Sequence, residues 1–198
     1  MEENMQEIMK DNIKGVSGKG QAGILEAKDI AVIAMFVAFI SVCAQIKLDV
    51  GPVPFTLQTF AVCITSALLG AKRGIIAVLC YILLGTVGVP VFQGFTGGAG
   101  IVMGITGGFI IGFLFIPIII GMFEAVAKKN ISGIVLIIAL IIGDALCMIT
   151  GMSVAVLIHK WSVYTAFAQC VAGFILPDLA KIVLAAWFVR RVRQFGVM

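Results

Sequence analysis

Charge is the scarcest commodity in this 198-residue sequence: Lys, Arg, Asp and Glu together make up 12% of it, against roughly a quarter in an ordinary soluble domain. That excludes a soluble globular protein with a normal surface. Histidine is almost missing as well. The single copy, His159, sits beside Lys160 in a polar break, so a histidine-based metal site or a catalytic triad is not expected; it reads as a solvated loop residue. The five cysteines, Cys43, Cys63, Cys80, Cys147 and Cys170, fall in apolar runs without the paired spacing of a disulfide or metal framework. They read as small packing residues.

Motifs of catalysis are also absent. Neither HExxH nor GxSxG occurs, which weighs against an intramembrane enzyme using Asp144 and Asp178 as acid and base. The stretch GVSGKG (15–20) lacks the correctly spaced first glycine of a phosphate loop and ends in Gly20 where Ser or Thr would hold magnesium. ATP hydrolysis by this chain is not expected. The first 29 residues are polar, with Lys10, Lys14, Lys19 and Lys28 and no apolar core, so a cleavable signal peptide is not expected either.

What the sequence has is apolar length: 61% of it is hydrophobic. At about 20 residues per crossing, the uncharged stretches allow about six spans. Their continuous apolar runs lack the alternation of barrel strands, so the fold class expected is an all-α integral membrane protein, a six-helix bundle. The spans are read at about 30–46, 55–71, 74–88, 105–127, 131–158 and from Pro177 to just before Arg190. Residues 1–29 form a polar amino-terminal segment, 30–193 the membrane domain and 194–198 a tail. Gly51, Pro52 and Pro54 predict a tight, rigid turn after span one. Gly88–Gly104, rich in glycine and interrupted by Pro90, cannot be one regular helix, and uncharged irregular backbone at a membrane tends to line a cavity. Residues 161–176 are expected to form a helical or re-entrant cap.

With these spans, Lys10, Lys14, Lys19, Lys28, Lys72, Arg73, Lys128, Lys129, Arg190, Arg191 and Arg193 share one side, and only Lys47 and Lys160 fall opposite. The positive-inside rule then places both termini in the cytoplasm. The glycine segment and Pro177 face outward.

Four features carry candidate chemistry. Asp178 and Lys181, three residues apart, share a helix face and need partners or water within a membrane; a mutual salt bridge is the plainer reading, a ligand site the better one. The turn Gly51–Phe60 brings Thr56, Gln58 and Thr59 to the head of span two. In the glycine loop, Phe92 and Gln93 offer an aromatic wall and a two-way hydrogen-bonding amide, unless the loop is simply a surface loop. Asp144 is a buried acid inside span five, either functional or held by polar groups of the bundle. Gly100, Gly104, Gly108 and Gly112 leave one side of span four flat for helix packing. Ala34 and Ala38 form a similar small-residue face, for internal packing or for docking.

The strings GPVPFTLQTF (51–60), YILLGTVGVPVFQG (81–94), GITGGFIIGF (104–113) and PDLAK (177–181) together resemble the BioY family, the biotin-specific S components of energy-coupling-factor (ECF) transporters. The resemblance runs from Asp29 to Arg193. It implies a multi-pass protein of the cell membrane that binds biotin near its outer surface, under loops one, three and five. It also implies partners: a transmembrane coupling protein, which the motif at Ala34 and Ala38 would meet, and two ATPases. Surrounding lipid completes the set; no cofactor and no nucleic-acid partner is expected. Asp178 would accept ureido N–H bonds and Lys181 would donate to the ureido carbonyl or the carboxylate. Phe55 and Phe92 would cover the bicycle, with Thr56, Gln58 and Gln93 beside them. The sequence departs from the family pattern at Ile105, Phe109 and Pro177, commonly proline, tyrosine and glycine, which leaves loop geometry to be found. An S component or secondary transporter for another small vitamin is the alternative.

Overall fold

The computed structural model describes residues 26–49, 52–127 and 132–195. Lys10, Lys14, Lys19, the 15–20 stretch, Gly51, Lys128, Lys129 and 196–198 lie outside the described residues. The chain divides into two units, Met1–Val32 and Ile33–Met198. In the first, helix α1 (Ala27–Gln45) opens with the N–H groups of Asp29 and Ile30 both meeting the carbonyl of Glu26.

Five helical stretches among the described residues are long and apolar enough to cross a membrane: Ala27–Gln45, Gln58–Val87, Gly107–Val126, Gly133–Leu157 and Val163–Gln194. Met35, Val42, Leu83, Ile142, Val183 and Leu184 are exposed, a surface suited to lipid rather than water.

The second stretch, helix α2 (Gln58–Val87), is not one rod. Gly70 leaves helical geometry at φ 72° and ψ −178°, a backbone that glycine adopts without a Cβ clash. The chain folds back there. A Cβ built on Gly74 would stand 3.2 Å from the Cα of Ser66, whereas eight residues of continuous helix advance about 12 Å. Such a reversal strands backbone groups, and two distant side chains take them up: Glu124 Oε2 accepts the Ala71 N–H at 3.3 Å, and Arg193 donates to the Ala67 carbonyl at 2.7 Å. The second and third sequence segments are therefore the two arms, 58–69 and 71–87. Their expected boundaries move, because Phe55 lies in a strand and helix resumes directly after Gly70.

That strand belongs to a small hairpin that the all-helical expectation lacked. β1 (Lys47–Leu48) pairs antiparallel with β2 (Phe55–Thr56), Lys47 opposite Thr56 and Leu48 opposite Phe55. Pro52 and Pro54 bar helix here and favour extended backbone. Of the residues expected to form a tight turn, Pro52 and Pro54 lie between these strands, and Gly51 lies outside the described residues.

In the glycine loop, Gly88 ends α2 in the left-handed conformation and Phe92 bridges Thr96. A short helix α3 (Ala99–Val102) follows. Gln45, on the last turn of α1, ties this loop down: its amide donates to the Phe92 carbonyl at 3.1 Å and accepts the Phe95 N–H at 2.8 Å.

Helices α4 (Gly107–Gly112) and α5 (Phe115–Val126) form one membrane-crossing stretch with a tightened joint. Pro117 has no N–H for the Phe113 carbonyl, which meets that of Ile116 instead at 3.3 Å. Of the four glycines expected to pack, Gly108 and Gly112 do so against helix α6 (Gly133–Leu157). A Cβ on either would come within 2.8 Å of backbone at Gly151 and Cys147 respectively. Gly100 and Gly104 precede the helix and contribute nothing to this seam.

The last segment also differs from expectation. A cap is present as α7 (Val163–Phe167), started by Ser162 Oγ on the Thr165 N–H, and a π-helical turn, Ala168–Ala172. Helix α8 then runs Ile175–Gln194, beginning before Pro177 and continuing through Arg190, Arg191 and Arg193. The Asp178 N–H already bonds the Phe174 carbonyl at 2.9 Å, so Pro177 lies in the first turn, where its missing N–H has no intrahelical partner to lose. His159 is not the solvated residue expected. The chain turns back there, with the Trp161 N–H on the Ala155 carbonyl, and His159 is half-buried with Nε2 lacking a hydrogen bond among the described residues. The five cysteines are free and, except for half-buried Cys80, buried.

Candidate ligand-binding site

The head of α8 carries the charged pair into the bundle. Asp178 and Lys181 are 4% and 7% exposed, and Lys181 Nζ meets Asp178 Oδ1 at 2.8 Å. The same ammonium donates to the Thr56 carbonyl at 2.7 Å and lies 4.2 Å from the centre of the Phe55 ring. A buried ammonium costs several kcal/mol unless its donors are met; here a carboxylate, a carbonyl and an aromatic face do that. The β-hairpin makes this possible, since it holds Phe55 and Thr56 over the start of α8.

Beside the pair lies a cavity whose empty space, including space open to solvent, is about 550 Å³. Loop one contributes Val53, Pro54 and Thr56 to its wall, the head of α2 Gln58 and Thr59, and the glycine loop Phe92 and Gln93. From α4 and its flanks come Thr106, Phe109, Ile110 and Phe113; from α6, Asp144, Cys147 and Met148; and from the last segment Phe174, Asp178 and Lys181. The lining is mostly apolar, with a few converging polar groups. That combination suits a small amphipathic molecule.

Of the residues read from sequence, Thr56, Gln58, Phe92, Gln93, Asp178 and Lys181 line this cavity. Phe55 does not. It stacks on Phe174 at 4.8 Å between ring centres, and Phe174 continues to Phe109 at 6.1 Å; Phe55 thus backs the aromatic wall. Phe92 is fully buried, its ring seated where a Cβ on Gly85 would be and edge-on to Tyr81 at 5.5 Å.

Tyr81 and Phe174 are the residues that sequence reasoning missed. Gln58 donates to the Tyr81 hydroxyl, which donates in turn to the Val91 carbonyl at 3.2 Å; Thr56 Oγ1 adds a long contact to Gln58 Oε1, 3.4 Å. One hydroxyl so links the head of α2 to the glycine loop. The only sequence signal was that Tyr81 is one of two tyrosines in the chain, and nothing local pairs it with Gln58.

Among the described residues no group of three His, Cys, Asp or Glu side chains suits a metal ion. Fold and site define a membrane-embedded small-molecule binding protein. Comparison with known proteins narrows this: the BioY family model matches residues 10–196, and the chain belongs to that family. It is 36% identical over 170 residues to a probable biotin transporter BioY of Pyrococcus horikoshii, covering 85% of this chain and 98% of that one. To the biotin transporter BioY of Thermotoga maritima it is 37% identical over 168 residues, 82% and 94% of the two chains. The crystal structure of the S-component for biotin from an ECF-type ABC transporter superposes with a TM-score of 0.79 at 28% identity, over 86% of this chain and 95% of that one. The chain is a multi-pass membrane protein of a transporter family.

Proposed function

We propose that this protein captures biotin at the outer surface of the cell membrane, as the substrate-binding S component of an ECF-type importer, and is not an enzyme. The observation that carries the reading is the Asp178–Lys181 pair, held buried at the edge of an aromatic-walled cavity in a chain of the BioY family. The pair presents an acceptor for a ureido N–H and a donor for a ureido or carboxylate oxygen. Phe92, Phe109 and Phe174 suit the apolar bicycle; Gln58 and Gln93 face the remaining polar atoms.

Uphill transport needs a source of energy, because a ligand shifts a conformational equilibrium only by its differential affinity for the two states. In this reading a coupling protein and two ATPases supply it. Ala34 and Ala38 are both exposed on α1, which favours docking over internal packing. Six spans with both termini cytoplasmic complete the proposal; supporting this are the reversal at Gly70, which would let α2 cross twice, and the cations Lys72 and Arg73 next to that turn, where Arg193 reaches Ala67.

The test is titration calorimetry of the detergent-purified chain with biotin. Saturable binding is expected, weakened at least about tenfold, or ~1.4 kcal/mol, by Asp178→Asn and by Lys181→Ala. A folded, unmodified protein that ignores biotin but binds another vitamin in a competition panel would overturn it.

A further inference from the structure

Asp144 is an acid that neither the fold nor the charged pair uses. It sits on α6 directly after Gly143, whose missing side chain lets α6 meet α5 at Ile116, where a Cβ would stand 2.8 Å from the Cα. The Asp144 side chain lines the cavity and is 5% exposed. Among the described residues it has no hydrogen bond and no ion pair: Lys181 bonds Asp178 and Thr56, and no other cation lines the cavity. An ionisable group deep in a membrane bundle without a partner is expensive to keep. It lines the same cavity as Asp178, whose carboxylate already shares its charge with Lys181.

We infer that Asp144 is a ligand-binding residue, the second carboxylate acceptor of the cavity, which takes one ureido N–H of a cyclic urea while Asp178 takes the other. The inference rests on the biotin reading above and deepens it. A cyclic urea has two N–H donors that diverge on either side of its carbonyl, so one carboxylate cannot accept both in good geometry. Asp178 and Lys181 come from α8, Asp144 from α6, and the ring lies between them, its carbonyl toward the ammonium. A purely structural acid would instead be bonded to the bundle, as Glu124 is to the Ala71 N–H.

The experiment compares three ligands, biotin and its two isomers methylated at one or the other ureido nitrogen, on the unmodified chain and on Asp144→Ala and Asp144→Asn, with thermal unfolding in detergent followed in parallel. Asp144→Ala should weaken biotin at least about tenfold, yet bind one methyl isomer as well as the unmodified chain does, because that isomer lacks the N–H that Asp144 accepts. The other isomer should lose affinity in parallel with biotin. Affinity for biotin within twofold of the unmodified chain in both variants would overturn the inference, as would an equal loss for all three ligands. An unmodified chain that binds no biotin would instead bring down the functional reading itself, so the two failures are told apart. If Asp144→Ala does not fold, Asp144→Leu, which keeps about the size and removes both acceptor oxygens, is read against the same criteria.

Discussion

Gln58 and Tyr81, separated by 23 positions, are hydrogen-bonded to each other across the two arms of α2. That one contact requires the chain to reverse between them, since a continuous helix would place them about 34 Å apart. It also sets the roof of the cavity: the Tyr81 hydroxyl passes the bond on to Val91, one residue before Phe92. Tyr81→Phe keeps the ring against Phe92 and removes only this link. Biotin affinity should fall about tenfold, the usual worth of one buried hydrogen bond, with no rearrangement of the fold. Calorimetry on the variant checks it.

Gln45 holds the glycine loop from the far side, through the Phe92 carbonyl and the Phe95 N–H. Gln45→Leu frees both backbone groups while leaving the cavity wall unchanged. The expected effect is on release: dissociation of bound biotin should quicken by roughly tenfold with little change in association, since affinity differences among related complexes fall mostly in the off-rate. A chase of labelled biotin by excess unlabelled biotin measures this.

The charged pair has a stability signature distinct from its role in binding. Lys181→Ala leaves the Asp178 carboxylate buried without its partner, and breaking a buried pair this way costs about 3–5 kcal/mol. Replacing both groups, Asp178→Leu with Lys181→Met, should recover much of that loss while leaving binding abolished. Unfolding of the single and double variants in the same detergent tests whether the pair is retained for its ligand rather than for the fold.

Two side chains close the turn at Gly70, and their removal should be felt far from the cavity. Arg193→Ala strips the Ala67 carbonyl of its partner and should lower stability by about 1–3 kcal/mol, the cost of an unsatisfied buried acceptor. Gly70→Ala puts a Cβ on a backbone conformation essentially confined to glycine and should cost about 1–3 kcal/mol. Both variants, once folded, should bind biotin as the unmodified chain does; a loss of affinity at unchanged stability would contradict a purely architectural role.

Docking has its own readout. Ala34→Trp and Ala38→Trp place bulk on an exposed face of α1, so association with the coupling protein should be lost while biotin binding to the isolated chain stays within twofold. Co-purification and calorimetry on the same variants separate the two.

Scarce charge and apolar length were enough to place this chain in a membrane, and prolines and cations marked most of its segment ends to within a few residues. The pairing of Asp178 with Lys181 was legible for the same kind of reason: three residues apart on a helix is local geometry. Gly51–Phe60 stood out as a turn, though not as a hairpin, because the cross-strand partners Lys47 and Thr56 announce themselves only when paired.

What lay beyond the sequence was everything set by how helices are placed and rotated against one another. Arg193 reads from the sequence as one more cytoplasmic cation, yet it is the partner of Ala67; Phe174 is an ordinary residue of an apolar run until the bundle places it on the cavity wall, and Tyr81 until Gln58 reaches its hydroxyl. Periodicity tells which residues share a face of their own helix. Which face meets which is decided by close approaches such as Gly112 on Cys147 and Gly143 on Ile116, contacts between residues far apart in the chain whose energies only the assembled packing supplies.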